Sequence, residues 1–369
     1  MYKLGAVGLG HWFERLHEGM KSSNNLLITK AVGTSSLDKK LSLLSEFDIP
    51  PQNYYIASKD GKIPEEFYSD IDIVHISDPN ELHASQLIEA LNHKKKVVVE
   101  KAIATNQIEF KKVIDFIEST NNHNNVYLHL HYLHKLLTMQ LPSLLVQITK
   151  NEGKIIRIES IFFEEENLED TRRSGWLFAP QSGGLFMDWI HPFEVIIKGA
   201  GASKINLEQI KQFEVNSKYT TTYPTGIWAQ IRVKGEHFIT NAQWISKVAK
   251  GVKQGEQRKK VMLTFESGSV LELNYKNSEM EFNSNERGSW NLYDKNGNVI
   301  ESKVPTGPTA SQLLVEDILK LCENKGPMLK LSDIKTLFEP QWVYQRLSQN
   351  APIIKDKNQI DLFIHGKTL

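Results

Sequence analysis

Through the first third of the chain, short, mostly apolar runs alternate with longer stretches of mixed apolar and polar positions. The runs are Leu4–Val7, Leu26–Val32, Ile71–Ile76, Val97–Val99 and Val126–Leu130. Continuous β-branched runs of this length predict strands buried on both faces, as in a parallel sheet covered by helices. The mixed stretches predict helices from the glycines after Val7 to Met20, from Asn80 to Leu91, and from about 107 to 118. Strands alternating with helices in this way predict a doubly wound parallel sheet. Beyond residue 126 the pattern changes. Lys154–Phe163 reads as a long strand. Ile227–Val233 and Phe238–Trp244 alternate around Gly235, Val261–Phe265 and Val270–Tyr275 read as a hairpin, and Asn296-Gly297 marks a turn between two more strands. Two amphipathic helices are expected at about 310–323 and 331–348. The fold class is α/β, with a doubly wound parallel domain at 1–125. An α+β domain built on a large, mostly antiparallel sheet follows at 126–369.

Composition narrows the partners. The chain has 369 residues with 44 basic and 44 acidic side chains, so neither nucleic acid nor an anionic membrane is expected. Its single cysteine, Cys322, falls on the apolar stripe of a predicted helix and reads as a core thiol. One cysteine, no leader before the first strand and no membrane-length apolar run point to the cytoplasm. The basic stretch from Lys247 to Lys260 reads as a solvated loop.

Two places in the first domain carry chemistry. The strand Val97–Val99 ends in Glu100-Lys101, at the sheet edge where open α/β folds bind ligands. Alone, that pair reads equally as a solvated strand end or as a catalytic cation. Gly8-Leu9-Gly10 sits between the first strand and the first helix, where glycines let a pyrophosphate approach a helix N-terminus. The second strand ends in Gly33-Thr34-Ser35-Ser36, with Lys39 and Lys40 behind. No carboxylate stands there to repel a 2′-phosphate, so the site favours NADP over NAD. The same hydroxyls also serve as helix caps.

Gly8-Leu9-Gly10, Pro79-Asn80-x-x-His83, Glu100-Lys101 and Gly183-Gly184 followed by Asp188 and His191 together resemble the Gfo/Idh/MocA family of sugar and cyclitol oxidoreductases. Ala102 stands where that family usually has proline, and Asp188 and His191 are three apart instead of four. The resemblance implies a Rossmann domain binding NADP or NAD through Gly8, Leu9, Gly10, His11, Trp12, Thr34, Ser35, Ser36, Pro79, Asn80, His83 and Glu100. It implies hydride exchange with a hydroxyl carbon of a sugar, sugar phosphate or cyclitol, with Lys101, His191 and Asp188 handling the proton. Trp176 would wall the sugar. A homodimer or homotetramer through the C-terminal sheet is the implied assembly. Two other classes fit such a chain: a non-catalytic dinucleotide sensor, and a cofactor-retaining lyase or glycosidase that works by transient oxidation.

His129-Leu-His131-Tyr132-Leu-His134-Lys135 admits three readings. Strand-spaced histidines form one face of a metal site, but no nearby Asp or Cys completes it and no metal is expected. The histidines also suit plain packing. Finally, His131-Tyr132-Leu-His-Lys135 resembles a sugar-phosphate clamp of glucose-6-phosphate dehydrogenases, which implies that His131, Tyr132 and Lys135 hold an oxyanion of the substrate.

Overall fold

The computed structural model describes residues 1–165, 182–215, 224–253, 255–275, 288–325, 334–335, 337–340, 342, 345 and 352–365. They form two compact units. The first is Met1–Leu130 with Ala310–Lys335, and the second is His131–Thr309 with Thr336–Leu369.

The first unit is built on six parallel strands: β1 (Tyr2–Val7), β2 (Leu26–Gly33), β3 (Tyr54–Ile56), β4 (Ile73–Ile76), β5 (Lys96–Glu100) and β6 (Val126–His129). Their spatial order is β3-β2-β1-β4-β5-β6. The order reverses between β1 and β4, which opens a crevice at the carboxyl ends of the strands. Val97, Val98 and Val99 are wholly buried, as a strand covered on both faces requires. Helices α1 (His11–Met20), α2 (Leu41–Glu46), α3 (Asn80–Asn92) and α4 (Gln107–Ser119) supply the cover. The α4 helix starts where Asn106 accepts a hydrogen bond from Glu109 N at 3.0 Å.

Two features of this unit went unforeseen. β3 has three residues, too few to show a periodic pattern. The helix Ala310–Cys322 also packs here, although it follows nearly the whole second unit in sequence. Its stripe of Leu314, Val315, Ile318, Leu321 and Cys322 joins Phe13, Leu16, Val98 and Tyr127 in one apolar cluster. Beside it Tyr127 Oη donates to the buried Asp317 at 3.2 Å. A core needs whatever closes its open face, and here that element comes from a distant part of the chain.

The second unit carries a nine-stranded sheet in the order β14-β13-β12-β11-β7-β10-β9-β8-β15. Its strands are β7 (Ile155–Glu164), β8 (Ala202–Phe213), β9 (Gly226–Gly235), β10 (Phe238–Lys250), β11 (Arg258–Phe265), β12 (Val270–Asn274), β13 (Ser289–Tyr293), β14 (Val299–Lys303) and β15 (Ile353–Ile354). Only the β7–β10 and β8–β15 pairings are parallel. The β9/β10, β11/β12 and β13/β14 hairpins fall where the alternation and Asn296-Gly297 place them. On one face Ile161, Phe163, Trp228 and Ile245 pack with Ile360 and Ile364 of the helix Lys357–His365, an element the sequence reading lacked. Of the helix expected at 331–348, only scattered positions are among the described residues.

One expectation is overturned here. Lys247–Lys260 is not a solvated loop. β10 runs to Lys250 and β11 begins at Arg258, and both Lys247 and Lys250 are buried. Basic residues enter a sheet interior when each meets a carboxylate. Lys247 pairs with Glu159 at 2.9 Å and Lys250 with Asp188 at 2.7 Å.

Candidate functional site

In the first unit, Gly8 turns the chain at φ +82°. A Cβ there would lie 2.7 Å from Asp78 Oδ1 and 2.9 Å from Asp78 N, so only glycine fits. At Gly10 an added Cβ meets nothing within 4 Å, and no side chain caps α1. The first turn of the helix is therefore open to an anion, which fits a dinucleotide pyrophosphate. Leu9 is buried beneath the turn, and His11 opens α1. Trp12 is half-buried, edge-on to His129 with ring centroids 6.1 Å apart and with the Arg15 guanidinium 4.6 Å above its ring. At the end of β2, Thr34 and Ser36 are exposed. Ser35 is half-buried, its carbonyl accepting from Tyr54 Oη at 2.8 Å. The first carboxylate after β2 is Asp38.

Pro79 precedes α3 and Asn80 opens it. His83 sits one turn in and is buried. Its Nδ1 lies 2.7 Å from Ala102 O and its Nε2 2.6 Å from Asp78 O. Carbonyl oxygens only accept, so this bridge is satisfied when both ring nitrogens donate. His83 thus ties the turn after β4 to the turn after β5. The latter carries Lys101, half-buried, and its Lys101–Ala102 peptide is cis. Glu100, the last residue of β5, is buried against His129. Burial alone would push the Glu100 carboxyl up, but His129, His75 and Lys101 hold it below its ordinary value.

In the second unit the residues converge on one face of the sheet. Alternation puts Ser160, Phe162 and Glu164 of β7 beside Ser246, Val248 and Lys250 of β10. Over that face pass Gly183-Gly184, a short turn to Asp188, the helix Ile190–Phe193, and a wider π-helical turn, Glu194–Gly199. In that wider turn Ala200 N reaches back to Val195 O at 2.8 Å, an arrangement frequent at functional sites. Trp189 Nε1 anchors the passage by donating to Ser246 Oγ at 2.9 Å.

Asp188 and His191 do meet, with Nε2 3.8 Å from Oδ1. That is too long for a hydrogen bond but close enough for one charge to steady the other. Asp188 is held by Lys250 at 2.7 Å. The partner that orients His191 is Glu194, whose Oε1 lies 3.0 Å from Nδ1. Glu194 Oε2 accepts from the backbone N–H groups of Tyr132 and Leu133 at 2.9 and 3.2 Å. One buried carboxylate thereby fixes both the histidine and the turn His131–His134. With Nδ1–H given to Glu194, Nε2 is the basic nitrogen.

That turn also carries the suspected clamp. The Tyr132 ring lies 4.7 Å from His191, and Lys135 Nζ is 4.9 Å above Tyr132 and 6.0 Å from the Tyr275 ring. His131, Tyr132 and Lys135 are all buried. The strand-spaced metal face does not form, because β6 ends at His129 and His131–His134 is a 3₁₀ turn. Trp176 lies outside the described residues.

Glu194 escaped the sequence reading although it stands three residues after His191, as Asp188 stands three before. Lys250, Glu164 and Lys259 left no comparable signal, since only the sheet register unites them. Burial would push Glu164 up, but Lys259 at 2.7 Å, Lys250 at 3.4 Å and His191 hold it well below the carboxylate range. A folded-state pKa below the unfolded one gives stabilisation that is complete above the unfolded value and drains as pH falls toward the folded value. Thermal stability is therefore expected to fall as pH drops below about 4.5. Lys259→Met should shrink that fall in a series of melts. An unchanged acid slope would remove Glu164 as its source.

Residues 2–128 match a family described as "Oxidoreductase family, NAD-binding Rossmann fold", Gfo/Idh/MocA. No curated protein matches the sequence. Among solved structures, a 3-ketoreductase from Actinomadura kijaniata in complex with NADP and TDP-benzene is similar, with 11% identity and a TM-score of 0.74. The match covers 96% of this chain and 99% of that one. An aldose-aldose oxidoreductase from Caulobacter crescentus complexed with glycerol shares 14% identity at a TM-score of 0.71, covering 94% of this chain and 98% of that one. At such identities the likeness shows the two-part fold over nearly the whole length. Residues 2–128 thus match the NAD-binding Rossmann domain of the Gfo/Idh/MocA oxidoreductase family.

Proposed function

We propose that the protein exchanges a hydride between NADP or NAD and the carbinol carbon of a sugar, sugar phosphate or cyclitol. The observation that carries this reading is His191, held through Nδ1 by Glu194 with Nε2 turned toward Asp188. A secondary alcohol loses its proton as it loses hydride, so the site needs a positioned base near neutral pH. In this role His191 Nε2 takes the hydroxyl proton. Glu194 keeps the ring in the tautomer that can accept it. Asp188, anchored by Lys250, steadies the resulting imidazolium. Lys101 donates to the reacting oxygen and stabilises its alkoxide character. Tyr132, His131 and Lys135 hold an oxyanion of the substrate, and a lysine charge among aromatic rings suits a phosphate or carboxylate. When bound, the nicotinamide supplies the hydride acceptor or donor. The similar structures' 3-ketoreductase and aldose-aldose oxidoreductase activities support a sugar-like substrate.

The test is a panel of free and phosphorylated sugars with both cofactors, followed at the absorbance of reduced nicotinamide. Net reduction marks a dehydrogenase. Tightly held cofactor that turns substrate over without net change marks a lyase cycle, and binding without turnover marks a sensor. With a substrate in hand, kcat/KM is expected to be higher for NADP, because Thr34–Ser36 offers hydroxyls and no carboxylate. Equal efficiency with the two cofactors refutes that preference.

A further inference from the structure

The first unit holds a second cluster that the proposed reaction does not use. His75 of β4, Glu100 of β5 and His129 of β6 lie on three adjacent parallel strands. His75 pairs in register with Val98, and Glu100 pairs with His129. With a period of two along each strand, all three side chains point to the same face of the sheet. One ligand atom from each lies within 4.8 Å of the other two, and all three residues are buried. The walls are aromatic: Trp12 stands against His129 and Phe13 against His75, with ring centroids 6.1 and 6.0 Å apart.

Glu100 and His129 answer one another. His75 does not share in this: both of its ring nitrogens are buried without a hydrogen-bond partner among the described residues. Leucine or valine would pack that position at no polar cost. Two polar atoms sealed in an apolar wall call for an occupant that gives them something to bind. A water satisfies a buried imidazole, but the rest of the cluster asks for more than that. The donors are two imidazoles and one carboxylate, which is a common protein ligand set for zinc and leaves a fourth position open. Bonds of about 2.0–2.2 Å put neighbouring ligands of a tetrahedral ion about 3.4 Å apart, so Glu100 and His129, now in contact, part to admit the ion while His75 closes on it. Imidazole donors select zinc-class ions over magnesium or calcium, which prefer all-oxygen cages.

We propose that His75, Glu100 and His129 bind one divalent transition-metal ion of the zinc class inside the nucleotide-binding unit. The ion ties the carboxyl ends of β4, β5 and β6 together. Through Glu100 it sets the backbone from which Lys101 departs. It is a positioning element and does not touch the substrate.

The test uses the tag-free full chain, stripped with a chelator and then titrated with cobalt(II). The expected result is the intense visible absorption of tetrahedral cobalt, saturating near one ion per chain and displaced by zinc. His75→Gln should lose that spectrum or weaken binding at least a hundredfold, while His123→Ala, at an exposed histidine outside the cluster, should leave it unchanged. If His75→Gln does not fold, X-ray absorption of the zinc-loaded wild type decides the point. Two imidazoles plus oxygen support the site, and an all-oxygen shell overturns it. A folded wild type that takes up no cobalt, or a His75→Gln protein that binds it as tightly, overturns the proposal. None of these outcomes depends on the substrate.

Discussion

Lys101→Met is expected to lower kcat by about a thousandfold or more while the dissociation constant for NADP changes by no more than about threefold. Lys101 lies in the turn after β5, on the carboxyl edge of the sheet, and is half-buried. Methionine keeps the length of the stem and removes only the ammonium, so packing at the turn is retained. In the proposed reaction the ammonium meets the reacting oxygen, where its charge matters most in the transition state. The proposed pyrophosphate site lies elsewhere, at Gly8, Gly10 and the first turn of α1, so binding is expected to survive. Single-turnover absorbance measurements with a substrate from the sugar panel, together with a fluorescence titration of NADP, separate the two quantities. Full turnover in this variant would remove Lys101 from the mechanism.

Glu194→Ala should cost the protein about 3–5 kcal/mol of stability, because one change leaves three buried donors without their acceptor: Tyr132 N, Leu133 N and His191 Nδ1. Chemical denaturation measures that loss. Glu194→Gln is the gentler probe. It retains one oxygen acceptor for the turn and removes the charge beside His191. Stability should suffer less, and kcat should fall by about ten- to a hundredfold as the histidine loses its fixed tautomer. NADP affinity is expected to stay unchanged in both variants, since the nucleotide turn belongs to the other unit. A Glu194→Gln enzyme as fast as the wild type would show that Asp188 alone suffices to orient the base.

Much of this was legible in the residues, and the failures have definite causes. β5 and β7 announce themselves because burial on both faces, or on one, writes a run or an alternation into the chain. Gly8 is legible because a glycine pair between a strand and a helix marks a tight turn, and the structure adds that Asp78 leaves no room for a Cβ there. Lys247 and Lys250 were not legible. A lysine in a strand looks like a solvated one until the register sets Glu159 and Asp188 against it. Asp188 is a milder case: its convergence with His191 was foreseen, but its tighter partner is Lys250, on a strand more than sixty residues away in sequence. His83 shows the same limit from the other side. The spacing Pro79-Asn80-x-x-His83 suggests a cofactor contact, whereas the ring bridges two backbone carbonyls, and no side-chain pattern encodes a carbonyl's position.

The return of the helix Ala310–Cys322 to the first unit has a consequence for synthesis. The apolar cluster around Phe13, Leu16 and Val98 is completed by Leu314, Ile318 and Leu321. During translation the nucleotide-binding half therefore emerges first and closes among the last. It waits with an uncovered apolar flank until residue 322 has left the ribosome, by which time β7 through β14 have already been made. A gene truncated after residue 125 therefore encodes an unfinished domain, one more apt to bind chaperones than nucleotide.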